Sequence, residues 1–317
     1  MTLINKQDTI LSLPWDLVAD KTNSAHMISR TADLLYLNTF LFKSMDTKQN
    51  QQLPWQIRMF RKTLKKQMRL KHLSNLLSDI GPQEQCLLVT CGDNNGAMNY
   101  FLRQLGGKWS WAELETQSIE EMCQLLGDEV KLCSFDHLDY PDQTFDRVVS
   151  IDCLEHIEDP NIFTLELHRI CKVGGQVIIT IPGGDQKKLV NKLKNLVGMT
   201  KEAYGHVRDG LTIAELTPIM TGAGFTPMRK VTFSRFFTEM VELTINFLYV
   251  KVLAKKSKAA VKEGTIAPAT EEQLKSVEKT YRMYALVYPF FKAVSFLDTL
   301  LVSSEGYVTM MEGRRDV

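Results

Sequence analysis

The sequence predicts an α/β fold in which a mostly parallel sheet carries helices on both faces. The middle of the chain alternates short β-rich runs with segments of helical periodicity, which is the pattern of strands joined by crossover helices. The composition of the 317 residues, 44% hydrophobic and 24% charged, is that of a globular protein and excludes a wholly disordered chain.

Seven strands are predicted, each a β-rich run bounded by helical or turn-forming residues. A tight turn over residues 172–175 introduces the fifth strand, and a helix and turn over residues 205–225 precede the sixth. The strands are predicted at residues 86–90, 109–114, 130–134, 147–152, 176–182, 225–233 and 307–312.

Two regions do not follow this alternation. Residues 1–80 have the pattern of a helical extension or lid, and residues 234–304 that of an amphipathic helical insertion, which is longer than an ordinary connection. The α/β core is therefore predicted over residues 81–233, with its final strand and a tail over residues 305–317.

Charge, cysteines and the N-terminus exclude several classes of protein. The 38 basic and 37 acidic residues give a net charge of +1, which does not indicate nucleic-acid binding. The six cysteines form no CxxC pair, which favours a reduced, cytoplasmic chain over a disulfide scaffold or zinc site. We predict no signal peptide and, for want of an uncharged apolar stretch of 18 residues, no membrane-spanning helix.

The turn after the first strand is the first candidate ligand site. Gly92, Asp93 and Asn94 lie between a strand and a helix, and small or Asn residues there allow a ligand to approach the backbone closely. A plain turn is the alternative interpretation. Glu113, about 20 residues further on at the end of the second strand, can accept hydrogen bonds from both hydroxyls of a ribose, with Glu115 in reserve. The glycine fingerprint G-x-G-x-x-G is missing, which counts against NAD.

The block over residues 135–182 resembles the class I S-adenosylmethionine-dependent methyltransferases, in particular the group that acts on small molecules and lipids. The resemblance covers residues 83–232 and the final strand. The matching motifs, in order, are YPDQTFDRVVS, CLEHIEDP, LHRICKVGGQVIITIP and GHVRDGLTIAELTPIMTGAGF. The resemblance implies a Rossmann-like sheet of seven strands, the last antiparallel, and S-adenosylmethionine as the cofactor.

The resemblance also implies roles for individual residues. It places Gly92, Asp93 and Asn94 beside the methionine and ribose part of the cofactor, and Glu113 at the ribose-binding acid. Ser134 or Asp136 falls near the position that contacts the adenine amino group. Asp152 lines the cleft where cofactor and acceptor meet.

Three positions of the cofactor loop depart from the family pattern. Leu88 stands where the family usually has an acid, and Thr90 and Asn94 stand where it has glycines. Thr90 and Asn94 are small and polar, so we expect the loop still to close on the ligand. The departure leaves open a second hypothesis, an impaired methyltransferase-like protein that serves as a partner-binding or membrane-docking module.

Methyl transfer to a hydroxyl requires alignment, exclusion of water and a base. Histidine is the usual base because its pKa lies near neutrality. His206, over the acceptor side of the cleft, and His156, nearer the cofactor, are the catalytic candidates, although either can be structural. Asp152, Glu155 and His156 also reproduce a spacing that holds a divalent cation in ubiquinone-biosynthesis O-methyltransferases, but we predict no metal.

The amphipathic helices of the extension and the insertion indicate which acceptor and which partners the protein has. The insertion is rich in Tyr and Phe flanked by lysines, and residues 56–72 carry seven basic residues and no acid. We therefore expect a hydrophobic or lipid-linked acceptor, such as a sugar intermediate or a prenylated phenol, methylated at oxygen, and peripheral contact with the inner face of the membrane. The alternative is that these helices form a lid or a homodimer interface.

Overall fold

The computed structural model describes residues 53–92, 94–248, 271–276 and 278–316. Asp93, residues 1–52 of the predicted extension and residues 249–270 of the predicted insertion lie outside the described residues, so the predictions made for them stay predictions.

The described elements follow the predicted alternation from the first strand onward. The helices are α1 (Trp55–Phe60), α2 (Leu64–Leu76), α3 (Ala97–Arg103), α4 (Ile119–Leu126), α5 (Pro160–Ile170), α6 (Leu189–Leu196), α7 (Ile213–Gly222), α8 (Phe236–Phe247), α9 (Glu271–Ser276) and α10 (Glu278–Phe296). The strands are β1 (Gln85–Thr90), β2 (Lys108–Glu113), β3 (Lys131–Leu132), β4 (Phe145–Ile151), β5 (Cys171–Pro182), β6 (Phe225–Phe233) and β7 (Val308–Arg315).

All seven strands form one sheet in the order β3-β2-β1-β4-β5-β7-β6. Strands β1 to β5 pair in parallel, and β7 is antiparallel to both of its neighbours, β5 and β6. This confirms the predicted Rossmann-like, seven-stranded fold with an antiparallel final strand. Because the chain order reverses on either side of β1, the carboxyl ends of β1 and β4 open a crevice of the kind that binds ligands in such sheets.

The central strands are buried on both sides. In β1, Leu87 and Val89 pack in one cluster with Phe163 and Leu167 of α5, and Leu88 between them points to the opposite face, as the period of a strand requires. A fully covered parallel strand is expected to be apolar throughout, which explains why β1, β4 and β5 were recognisable from short apolar runs.

Three local predictions differ from the structure. The third strand has two residues instead of five, because it is an edge strand that pairs only with Ala112 and Glu113 of β2. The basic segment over residues 56–72 is two helices, α1 and α2, separated by residues 61–63. The turn over residues 172–175 lies within β5 as a bulge, in which Gly174 has a φ of 75°.

The insertion packs on α2 through one face of α10. Tyr284, Tyr288 and Phe291 cluster with Leu64 and Val241. The opposite face is apolar and exposed, and the segment Tyr281–Leu301 is long and apolar enough to cross a membrane, with 11% of it buried. This segment therefore departs from the prediction that no helix is long and apolar enough to span a membrane. A single helix of this kind also occurs in proteins that do not cross a membrane.

Candidate active site

A cavity that is partly open to solvent lies at the carboxyl ends of β1 and β4 under a roof formed by α1 and α2. Its floor is the loop after β1, and the residue after β4 forms one wall. It is lined by Phe60, Lys66, Arg69, Thr90, Cys91, Asn94, Asn95, Met98, Ile151 and Asp152. Three of the predicted site residues, Thr90, Asn94 and Asp152, therefore meet in one place.

Glu113 is an internal anchor of the loop. Its side chain is fully buried, and one carboxylate oxygen accepts hydrogen bonds from the backbone N–H groups of Gly92 (2.7 Å), Leu114 (3.0 Å) and Glu115 (3.2 Å). The other oxygen accepts the Thr90 hydroxyl at 2.6 Å. Both oxygens of Glu113 thus have partners inside the protein, and its role at a ribose stays a prediction.

The network of Glu113 extends to Asn94. The Asn94 amide donates to Thr90 Oγ1 (3.1 Å) and to Asn99 Oδ1 (2.8 Å), and its carbonyl oxygen accepts the Gly96 N–H. Thr90 and Asn94, the two residues that stand in place of the family's glycines, thus hydrogen-bond to each other and stabilise the loop. This satisfies buried polar groups that would otherwise be costly.

Burial raises the pKa of Glu113 to about 7, against the hydrogen bonds from Thr90 and the loop that lower it. Below about pH 4.5 the carboxyl is protonated both folded and unfolded; as the pH rises to about 7 the unfolded chain loses the proton first, so stability falls. We expect the stability of the wild type to fall by roughly 3 kcal/mol relative to Glu113→Gln between pH 4.5 and pH 7, measured by urea unfolding. If the difference in unfolding free energy between the wild type and Glu113→Gln does not change with pH, Glu113 is not a buried, neutral carboxyl.

Glu115 is the acid that faces the bare backbone of the loop. Gly92 has a φ of +74°, a conformation that favours glycine, and the Glu115 carboxylate lies so close that a Cβ added at Gly92 would be 2.7 Å from Oε2. One carboxylate oxygen of Glu115, the thiol sulfur of Cys91 and one ring nitrogen of His156 lie within 4.8 Å of one another. Two carboxylates therefore lie beside Gly92: Glu113 accepts its N–H, and Glu115 lies against its Cα.

The two candidate histidines contact each other. The rings of His156 and His206 are 4.7 Å apart and nearly perpendicular, and Tyr204 stacks on His206 at 5.6 Å. Gly210 fixes the loop that carries His206: its φ is +118°, and a Cβ there would lie 1.9 Å from the carbonyl oxygen of Pro182 at the end of β5. No other residue fits at Gly210, so this loop is held against the carboxyl edge of the sheet.

The predicted adenine contacts lie apart from the cavity. Ser134 and Asp136 are exposed after the edge strand β3 and hydrogen-bond to each other. Neither is among the described residues that line the cavity.

The predicted cation pattern is not assembled. The Asp152 carboxylate is bound by Arg69, so it does not join Glu155 and His156. Donor atoms of Glu155, His156 and His206 do lie within 4.8 Å of one another, a set that suits a divalent ion. We assign no metal to it.

Sequence reasoning missed Arg69. It belongs to the basic run that was interpreted as a charged surface, yet it is 5% exposed and its Nη2 lies 2.7 Å from Asp152 Oδ2. Phe60 and Met98, which also line the cavity, carry no signal of their own. In the sequence, Arg69 is distinguished only by its place one helical turn after Lys65 and Lys66. That spacing does not show whether its side chain points into the protein or toward solvent.

The sheet order and the crevice beside β1 define a Rossmann-like fold, the class in which ligands bind at this edge of the sheet. The methyltransferase domain family matches residues 87–179. A phosphatidylethanolamine N-methyltransferase of Cereibacter sphaeroides is 28% identical over 123 residues, 36% of this chain and 61% of that protein. The chain thus matches about three fifths of the length of this curated relative.

Two solved structures share the fold at a TM-score of 0.50. One is a candidate methyltransferase from Bacillus halodurans C-125, 15% identical, with 79% of this chain and all of that chain covered. The other is the [4+2]-cyclase SpnF, 14% identical, with 78% and 81% covered. At such identities the likeness concerns the fold alone, and the cyclase illustrates that the fold does not fix the reaction. The match over residues 87–179 and the shared fold make this chain similar to the S-adenosylmethionine-dependent methyltransferases of class I.

Proposed function

We propose that this protein transfers a methyl group from S-adenosylmethionine to the oxygen of a hydrophobic or lipid-linked acceptor at the membrane surface. The observation that carries the proposal is the carboxylate of Glu115 against the bare backbone of Gly92, beside a cavity at the carboxyl ends of β1 and β4. A ribose that accepts and donates hydrogen bonds suits such a carboxylate.

The residues present fit this cofactor. Gly92 leaves the backbone of the loop bare beside the Glu115 carboxylate, and Asp152 and the small residue Asn94 line the cavity. Gly92, Asn94, Glu115 and Asp152 would hold it. When bound, S-adenosylmethionine supplies an activated methyl group, so the chain's residues have only to orient the acceptor, exclude water and remove a proton.

Calorimetry with S-adenosylmethionine tests the cofactor site. We expect Glu115→Ala to weaken binding roughly 10- to 100-fold, since a hydrogen bond to a charged group contributes about 1.5–3 kcal/mol. Glu113→Gln is the matched control, because it keeps the shape of the buried anchor and should change the affinity little.

Each of the other outcomes is informative. If Glu113→Gln weakens cofactor binding and Glu115→Ala does not, Glu113 is the acid that binds the ribose. No binding to the wild type at millimolar cofactor would reject the proposed activity and favour the alternative of a docking module.

We assign the base to His206, with His156 as its neighbour. An imidazole can accept the hydroxyl proton as the acceptor oxygen attacks the methyl group. Tyr204 stacks on one side of His206 and His156 contacts it edgewise, which limits the orientations of the ring. The loop anchored at Gly210 keeps His206 near the carboxyl edge, where the acceptor would enter.

The acceptor class rests on exposed apolar surface and on the curated relative. That relative is named for phosphatidylethanolamine, a lipid, and for transfer to nitrogen. A lipid headgroup amine is therefore the second candidate. Mass spectrometry of products labelled from S-adenosylmethionine in a lipid extract distinguishes a methyl ether from a methylated amine.

The outer face of α10 supports peripheral membrane contact. Leu286 and Phe290 are 82% and 67% exposed, on the side opposite the packed tyrosines. Burying one such side chain in lipid contributes about 1.5–3 kcal/mol. Of the seven basic residues over residues 56–72, Lys65 and Arg69 form internal ion pairs, so the electrostatic attraction to lipid is smaller than the sequence suggested.

We expect the wild type to float with phosphatidylglycerol-containing vesicles at low salt, and the double variant Leu286→Glu/Phe290→Glu to remain in the soluble fraction. Leu196→Glu is the control, because Leu196 is 81% exposed on α6 outside this face. A wild type that does not float would reject membrane contact. A dimer that the double variant dissociates would assign the face to a second copy instead.

A further inference from the structure

The roof of the cavity is fastened to α10 at the connection between its two helices. The Tyr284 hydroxyl donates to the backbone carbonyl of Lys62, which lies between α1 and α2. One turn earlier in α10, the Tyr281 hydroxyl donates to Arg58 O of α1 at 3.2 Å. Both bonds reach backbone atoms of the roof, so α10 cannot move without moving this connection or breaking the bonds.

Tyr288 adds a third contact, to α2. Its hydroxyl accepts a hydrogen bond from Gln67 Nε2 at 2.6 Å, and the centre of its ring lies 5.0 Å from Lys62 Nζ. Tyr288 is buried and packs with Leu64 and Val241. Residues 281, 284 and 288 are spaced by three and four positions, so they share one face of α10. That face therefore contacts the roof along about two helical turns.

The roof lines the cavity with side chains from both of its helices. Phe60 at the end of α1 and Arg69 of α2 belong to the lining. Phe60 packs on Phe101 of α3 with ring centroids 4.8 Å apart, and Arg69 is paired with Asp152. The connection that α10 holds lies between Phe60 and Arg69 in the chain. Its position therefore affects how closely the roof covers the cavity.

The outer face of α10 and its basic neighbours fit an anionic lipid surface. Met283, Leu286 and Phe290 are exposed and are spaced by three and four residues, so they form one apolar face. Burial, together with the charge of Lys62, lowers the pKa of Lys292 to about 8. An anionic lipid phosphate beside these two amines would reduce their repulsion. An exposed apolar face with basic residues beside it is typical of helices that lie at a membrane surface.

We propose that a lipid bilayer bound to the outer face of α10 keeps the roof closed over the cavity, so that membrane binding strengthens cofactor binding. The inference rests on the proposed function, which supplies the bilayer and the cofactor, and it adds that the two sites affect each other. Closing the roof over a ligand orders α1 and α2, and a bilayer that has already ordered α10 removes part of that cost. Because such coupling is reciprocal, the cofactor strengthens vesicle binding by the same factor.

Calorimetry with and without vesicles tests the coupling. We expect phosphatidylglycerol vesicles to lower the dissociation constant of the wild type for S-adenosylmethionine roughly 5- to 150-fold, the usual range of coupling between two sites. The double variant Tyr281→Phe/Tyr284→Phe keeps both rings and removes the hydroxyls that hold the roof. It should still float with vesicles but lose most of this factor. Tyr100→Phe, which removes a hydroxyl of α3 instead, is the matched control and should keep the factor.

Failure of the inference is distinguishable from failure of the proposed function. If the wild type binds vesicles and cofactor but vesicles do not strengthen cofactor binding, or if the double variant keeps the full factor, the inference is overturned while the proposed function stands. If the wild type binds no vesicles or no cofactor, both fall. Because the double variant can lose stability, the reciprocal effect is measured on the wild type alone. S-adenosylmethionine should lower the lipid concentration for half-maximal vesicle binding by the same factor, and an unchanged value would also overturn the inference.

Discussion

Replacing His206 by alanine is expected to lower kcat roughly 10²- to 10⁴-fold, the usual contribution of a general base. The alanine variant removes the imidazole that accepts the proton, together with its ring contacts to Tyr204 and His156. The measurement is the transfer of labelled methyl from S-adenosylmethionine to a prenylated phenol or a polyprenyl-linked sugar. The dissociation constant of the cofactor should change little.

His168→Ala is the matched control for this experiment. His168 lies at the end of α5, where its ring contacts Phe225 at 5.2 Å, and both residues adjoin the amino edge of the parallel strands. Its loss should leave kcat near the wild-type value. An unchanged kcat in His206→Ala would show that His206 is not the base. If His156→Ala alone lowers kcat by the expected amount, His156 is the base instead.

Removing the Glu239 side chain should lower the free energy of unfolding by about 3–5 kcal/mol, as for other buried ion pairs that lose one partner. Glu239 of α8 is fully buried, and its oxygens lie 3.0 Å from Lys65 Nζ of α2 and 2.8 Å from Lys194 Nζ of α6. It also accepts the Ser234 hydroxyl at 2.6 Å. Glu239→Ala would leave both lysines without this carboxylate, and urea unfolding at pH 7 measures the loss.

The pH dependence of this loss provides an internal check. Burial would raise the pKa of Glu239, but Lys194 and Lys65 hold it at about 2. Its stabilising contribution is therefore complete above about pH 4.5 and is lost as the pH falls toward 2. Glu305→Ala, at an exposed carboxylate, should change stability by less than about 0.5 kcal/mol. A loss below 1 kcal/mol in Glu239→Ala would show that the three helices are held together by apolar packing alone.

Much of the fold was predictable because its signals are local. Apolar runs such as residues 86–90 and 147–152 mark strands buried on both faces, and the turn signals between them leave few possible connections. The residues around Gly92 and the histidines of the acceptor side could be nominated because the motifs that contain them are contiguous. The bounds of β3 were less predictable, since an edge strand depends on a single partner.

By itself the sequence determined the order of strands and helices, the glycine loop and the presence of two acids near the end of β2. Only the tertiary structure decided how each acid contacts the loop, because the pairing of Thr90 with Glu113 buries that carboxylate under the loop and leaves Glu115 beyond the strand, against Gly92. It alone showed that Arg69 is internal. Residues of one basic helix have the same chemistry in the sequence, and which of them is buried depends on Asp152, 83 positions away.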